Sequence, residues 1–311
     1  MKTFKKICRK DQTQLKKWLE KLLKAKYGRV VNGDGFLYAK GKSNCPILLT
    51  AHMDTVHKEN CVDIIVSNIQ GKTILTSPQG IGGDDRCGIW MIWKLLCFTK
   101  YRPSILFCED EEIGGVGSSK FVETKYVDDL KELKYLVELD RANSNDAVYY
   151  DCGNDQFMDY IRETIGYKEA YGSFSDIGHL SPACDKASVN LGCGYYKQHT
   201  LQEYVVFEEM KDTYKAVIKL CSKAKECEAF DYQEYSFMSK DYGDSWLTGL
   251  YSNKKWYEDN DDNYYEIIFN GDKGEDTFII ETDSYEEALG YFMLNYTDKC
   301  YQDIIEIVKY N

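Results

Sequence analysis

The 311-residue sequence has no long apolar run, no CxxC cysteine pairs, no internal repeat and no overall surplus of basic residues. Its first segment, MKTFKKICRKDQTQLKKWLEKLLKAKYG, is basic but carries neither an apolar core nor a small-residue cleavage site. Neither a signal peptide nor a membrane span is expected there, and a cytoplasmic protein is. The twelve cysteines are scattered, several within apolar runs. They read as buried free thiols in a reducing compartment, not as a disulfide framework or a thiolate zinc cluster.

What is present begins with a 43% apolar content, enough for a real core, and a net charge of −12 that is unevenly spread. From Phe230 to Asn311 there are 19 acidic and 6 basic residues, whereas the rest of the chain holds 32 and 33. This step predicts a boundary: residues 1–228 as a catalytic domain, and 229–311 as an acidic, tyrosine-rich appendage holding 12 of the 26 tyrosines. An acidic segment repels polyphosphates, so no nucleic-acid partner is expected. The N-terminal lysines read as the solvated face of a helix.

That helix is predicted over residues 11–26, where Leu15, Trp18, Leu19, Leu22 and Leu23 share one face and Asp11 with Gln14 suits a capping box. Strand-like runs follow at Gly35–Ala39, Pro46–Ala51, Ser104–Cys108, Tyr135–Leu139 and Ala187–Gly192. Helices are expected at about 86–99, after Gly117, at 154–164 and at 207–225. Alternation of this length implies an α/β fold of three layers, α/β/α, around a mixed and largely parallel sheet. In the appendage, Tyr264–Phe269 and Thr277–Glu281 flank a turn and predict a hairpin. Ser284 with Glu287 predicts a helix start, and Asp303–Val308 a returning strand, giving a small α+β unit.

Chemistry-bearing residues gather at predicted strand ends. His52 and Asp54 close the run LLTAHMD, two apart and so on one side of an extended chain. A carboxylate there can set the imidazole tautomer a metal needs, although a structural histidine beside an aspartate fits the pair equally well. His57 reads as a surface residue. Asp84 and Asp85 stand in a glycine-rich turn, GIGGDDRCG, that opens a helix. One carboxylate there can bridge two cations, or simply cap the helix. Four consecutive acids, Glu109 to Glu112, end an apolar run; in a crevice they repel one another unless cations compensate, whereas in a solvated loop they are unremarked. Asp140 ends YLVELD, and His199 closes GCGYYKQH. Together they supply a histidine, a bridging acid, an acid pair, an acid and a histidine.

The succession HxD, GGDDRxG, DEExGxxGS, ELD and HTxxEYV resembles the two-zinc exopeptidases and amidohydrolases that include peptidase T, carboxypeptidase G and the bacterial leucyl aminopeptidases. The resemblance runs from about residue 45 to 225. It implies the zinc-aminopeptidase fold, of the phosphorylase/hydrolase-like kind, and a specific division of labour. His52 and Asp140 would hold one zinc ion, Glu112 and His199 a second, and Asp84 would bridge them. Asp54 would orient His52, Glu111 would act as general base, and the Asp84–Asp85 peptide would be cis. Mixed nitrogen and oxygen ligation suits Zn2+, with Co2+ or Mn2+ as substitutes.

Some relatives insert a lid between the last two ligands, but only 58 residues separate Asp140 from His199 here. A lidless form is therefore expected, and functions a lid supplies do not transfer. Ser175, Asp176 and His179 occupy roughly the place of a substrate-pocket loop; an ordinary strand-to-helix turn is the alternative. Tyr195 and Tyr196 suit packing, or donation to an oxyanion. The expected activity is metal-dependent hydrolysis of a short peptide by an aminopeptidase or dipeptidase. An amidohydrolase acting on an N-acyl amino acid, and a binding module that keeps the fold without turnover, stand as alternatives.

Overall fold

Asp11 caps the first long helix as its spacing predicts, its carboxylate accepting the Gln14 amide at 2.8 Å. In this computed structural model, residues 1–172, 174–233, 264–271, 274–281, 288, 292 and 304–310 are described. The chain divides into two units, Met1–Tyr171 with Ser175–Glu234, and Gly172–Phe174 with Tyr235–Asn311.

The first unit runs in the order α1 (Lys2–Cys8), α2 (Gln12–Lys26), β1 (Val30–Gly33), β2 (Phe36–Ala39), β3 (Leu48–His52), β4 (Ile65–Ile69), β5 (Lys72–Thr76), α3 (Gly83–Phe98), β6 (Ser104–Cys108), α4 (Val116–Val122), α5 (Asp128–Lys131), β7 (Leu136–Arg141), β8 (Asn143–Val148), α6 (Asp155–Ile165), β9 (Lys168–Ala170), α7 (Ile177–Cys184), β10 (Ser188–Tyr196), β11 (Tyr204–Val206) and α8 (Phe207–Lys223). Its sheet has the order β1-β2-β6-β3-β7-β10-β11-β5-β4, with β8 on β10 and β9 on β8.

The parallel character is narrower than expected. The run β6-β3-β7-β10 is parallel, but β1, β2, β11, β5 and β4 join antiparallel, as does β8 on β10. For two of these pairs connection length is the reason. The links β1 to β2 and β4 to β5 are two-residue turns, which can only reverse the chain, whereas parallel neighbours need a crossover.

Period-two alternation within the central strands builds two cores. Leu49, Ile105, Phe107, Val137 and Leu139 join a cluster with Leu15, Leu19 and Leu23 of α2 and the apolar face of α3. Leu48, Leu106 and Leu136 join another with Phe121 of α4 and Leu180 of α7. A strand buried on both faces is largely apolar, and β3 and β6 are fully buried. Polar side chains at their carboxyl ends therefore stand out. Where α3 crosses β7 the helix comes close: a Cβ on Gly88 would lie 2.1 Å from the Leu139 carbonyl, so only glycine fits.

In the second unit, β12 (Tyr264–Gly271) and β13 (Gly274–Glu281) form the expected hairpin, and β14 (Ile304–Tyr310) pairs antiparallel with β12. The helix start expected at Ser284 and Glu287 lies outside the described residues. Among the described residues every cysteine is free, and no helix is long and apolar enough to cross a membrane.

Candidate metal centre

Three parallel strand ends and two loops converge. β3 ends on His52, whose side chain is fully buried. Asp54 lies 3.1 Å from His52 Nδ1, which leaves Nε2 to face Asp84 at 2.8 Å and Asp140 at 3.3 Å. Asp54 also accepts the amides of Glu111 at 3.1 Å and Glu112 at 3.0 Å. One carboxylate thus orients an imidazole and anchors the acid pair, the second role being invisible in a short motif.

The glycine-rich turn separates its two acids. Gly82 is left-handed, Asp84 and Asp85 have non-helical backbone angles, and the peptide between them is cis, as the resemblance implies. Asp85 turns inward, accepting the Gly88 amide at 2.8 Å and the His52 amide at 3.2 Å. It is the helix cap. Asp84 turns outward and meets both imidazoles, His52 at 2.8 Å and His199 at 3.3 Å. Ligand-type atoms of His52, Asp84 and Glu112 lie within 4.8 Å of one another, and so do those of His52, Asp85 and Asp140. Because both Asp85 oxygens already accept backbone amides, Asp84 is the better bridging group.

The run of four acids splits two and two. Lys16 of α2 pairs with Glu109, and Gln12 brackets Asp110, donating to its side chain at 2.9 Å and accepting its amide at 3.2 Å. Glu111 and Glu112 alone are turned to the centre, where Glu112 reaches His199 at 3.0 Å and Glu111 comes within 3.9 Å of His52. One oxygen of Glu112 is buried without a hydrogen-bond partner. Asp140 is held by Asn190, which accepts its amide at 2.9 Å, and by the Tyr195 hydroxyl, 3.2 Å from its carboxylate. Tyr195 thus packs and positions. Tyr196 donates instead to Glu209 at 2.5 Å.

Charge is concentrated to an unusual degree. Burial alone would lower the pKa of His52, but the charge of Asp140 and hydrogen bonds to Asp140, Asp54 and Asp84 outweigh it and hold it well above the ordinary histidine value. His199 follows the same pattern, burial being outweighed by Asp84 and Glu112. Burial raises Asp84, yet hydrogen bonds from the two imidazoles bring its pKa below the usual carboxylate range. Glu111 is pushed well up, first by burial, with His52 opposing and Asp140 adding. The constellation is rich in acceptors and poor in cations.

Three further residues are placed as follows. The Ser175 hydroxyl donates to Glu138, a buried carboxyl that burial and then Asp176 push up to about 8. Asp176 is fully buried, and His179 Nδ1 lies 2.6 Å from the Ser119 hydroxyl. His57 is not the surface residue expected. Its side chain is 7% exposed and its Nε2 lies 2.9 Å from Glu203, a buried acid that the sequence reading left without a role. The only signal for Glu203 was its place four residues after His199 in HTxxEYV.

Residues 37–173, which hold every centre residue except His199, match peptidase family M28. A search of curated protein sequences returns no match. Solved structures share the fold: aminopeptidase PepT from Bacillus cereus at 15% identity and a TM-score of 0.55, covering 72% of this chain and 97% of that one; a tripeptidase from Staphylococcus aureus at 12% and 0.57, covering 73% and 98%; and the TET1 peptidase of Pyrococcus horikoshii at 12% and 0.51, covering 68% and 94%.

Proposed function

We propose that this chain, a metallopeptidase by its M28 match and its fold, removes residues from the amino terminus of short peptides with two divalent metal ions, zinc above all. One observation carries the reading. Asp84 touches two histidines, one at a strand end and one on a loop, each histidine has its own further carboxylate, and a buried Glu112 oxygen lacks a partner. Buried acids in such number call for cations, and the nitrogen and oxygen donors present fit zinc.

His52 and Asp140 would hold one ion, Glu112 and His199 the other, with Asp84 shared. Ions bound there would polarise the scissile carbonyl and make a water acidic enough to attack near neutral pH. Glu111, not needed as a ligand, takes that water's proton on its carboxylate. Its buried position beside the proposed ligands suits it to hold that proton away from bulk solvent and pass it to the leaving amine nitrogen as the C–N bond breaks. Asp54 fixes the amides of Glu111 and Glu112, so base and ligand move as one piece. Free thiols among the described residues favour a cytoplasmic setting.

The test is metal content of the purified protein together with hydrolysis of aminoacyl anilides and free-amine peptides. Metal-dependent release of amino-terminal residues is expected. Hydrolysis confined to N-acyl amino acids would replace the reading with an amidohydrolase. Bound metal with no turnover on either class would leave a binding module.

A further inference from the structure

Glu203 lies on the short segment that joins His199 to β11, and it is 1% exposed. One oxygen accepts the Asp84 amide at 3.0 Å, and the other accepts the Gly82 amide at 2.9 Å and meets His57 Nε2 at 2.9 Å. A buried carboxylate is expensive unless each oxygen finds a donor, and here each does. The neighbourhood is shaped for this arrangement. A Cβ on Gly80 would fall 2.3 Å from the His57 ring, so glycine at that position makes room for the imidazole behind Glu203.

We infer that Glu203 is a positioning residue for the metal centre, gripping the turn that aims Asp84 and itself held from behind by His57. The consequence is a coupling within five residues of chain: the segment that offers His199 to one ion also fixes the carboxylate shared by both. Without Glu203 two buried amides lose their acceptor, and the Gly82–Asp84 turn is free to relax away from the histidines. Support of this kind around metal ligands typically matters by ~10–100-fold in affinity or activity. The inference rests on the two-metal reading above.

The experiment measures zinc affinity of the full chain by competition with a chromogenic chelator, beside kcat and KM, for wild type, Glu203→Ala, Glu203→Gln and His57→Ala. Glu203→Ala should weaken zinc by about 10–100-fold and lower kcat comparably, with KM within roughly twofold. Glu203→Gln should recover part of the loss, because its carbonyl can still accept one amide while its NH2 opposes the other donor. His57→Ala should cost only a few-fold. A purely structural residue would instead lower the unfolding temperature of the chelated proteins and leave zinc affinity alone. Wild-type affinity in both Glu203→Gln and His57→Ala overturns the inference even if Glu203→Ala does not fold. A wild-type protein that binds no metal defeats the underlying reading first; one that binds two ions, with variants that match it, defeats this inference only.

Discussion

His52 and His199 meet different carboxylate oxygens of Asp84, at 2.8 and 3.3 Å, but they arrive there by different means. His52 ends a fully buried strand, its second ring nitrogen is set by Asp54, and its companion Asp140 is fixed by Asn190 and Tyr195. His199 stands in the turn between β10 and β11, with a positive φ of 59° and a side chain 45% exposed. Among the described residues no carboxylate is found at its other ring nitrogen. The first half of the centre is built into the sheet, whereas the second is assembled on a loop. Preorganised ligands bind without the cost of ordering themselves, so the two halves should differ in affinity.

The largest effect separates chemistry from either half. Glu111→Gln removes the proposed proton acceptor and replaces none of the proposed ligands, so turnover should fall by about 10²–10⁴-fold while metal content stays unchanged. Full activity in that variant would end the mechanism. Next, a chelator titrated into the zinc-loaded protein should strip one equivalent before the other. Asp54→Ala, which frees His52 and the amides of Glu111 and Glu112, should weaken the tighter step by roughly 10–100-fold and merge the two. Simultaneous loss in wild type would erase the difference between the halves.

The smallest effect is on pH. In the metal-free protein both histidines sit above their ordinary pKa because the surrounding carboxylates outweigh burial, so they hold protons at neutral pH. A metal ion needs them neutral and must displace those protons. Zinc affinity should therefore rise from about pH 6 to 8, with proton release visible as a buffer-dependent heat in calorimetry. A falling affinity over that range would mean that the histidines are not ligands.

The strand ends were legible because contrast is strong there: His52 and Asp140 close runs that are mostly apolar and, in the structure, buried up to those residues. The regular part of α3 was legible for the related reason that Asp85 is a true cap, its side chain three residues before the amide it accepts. Strands β4 and β8 were not read, since β4 is exposed along its whole length and β8 carries Asn-Ser-Asn-Asp, which looks like loop. The split of the four acids was hidden because the partners of Glu109 and Asp110 stand more than 90 residues earlier. Glu203 and His57 were hidden likewise, their contact joining positions 146 apart. Local pattern reports which side chains leave the core; it does not report which distant segment receives them.

The grip of α2 on the acid loop also has a bearing on synthesis. Gln12 and Lys16 leave the ribosome before the four acids they meet, and Asp140 and His199 leave after them. While the chain grows, the loop bearing the proposed base can thus have its first two charges answered by a helix already made, and only the second pair must wait. The order of the residues along the chain would then spare the nascent protein a fourfold cluster of unanswered charge during the interval when it is least able to tolerate one.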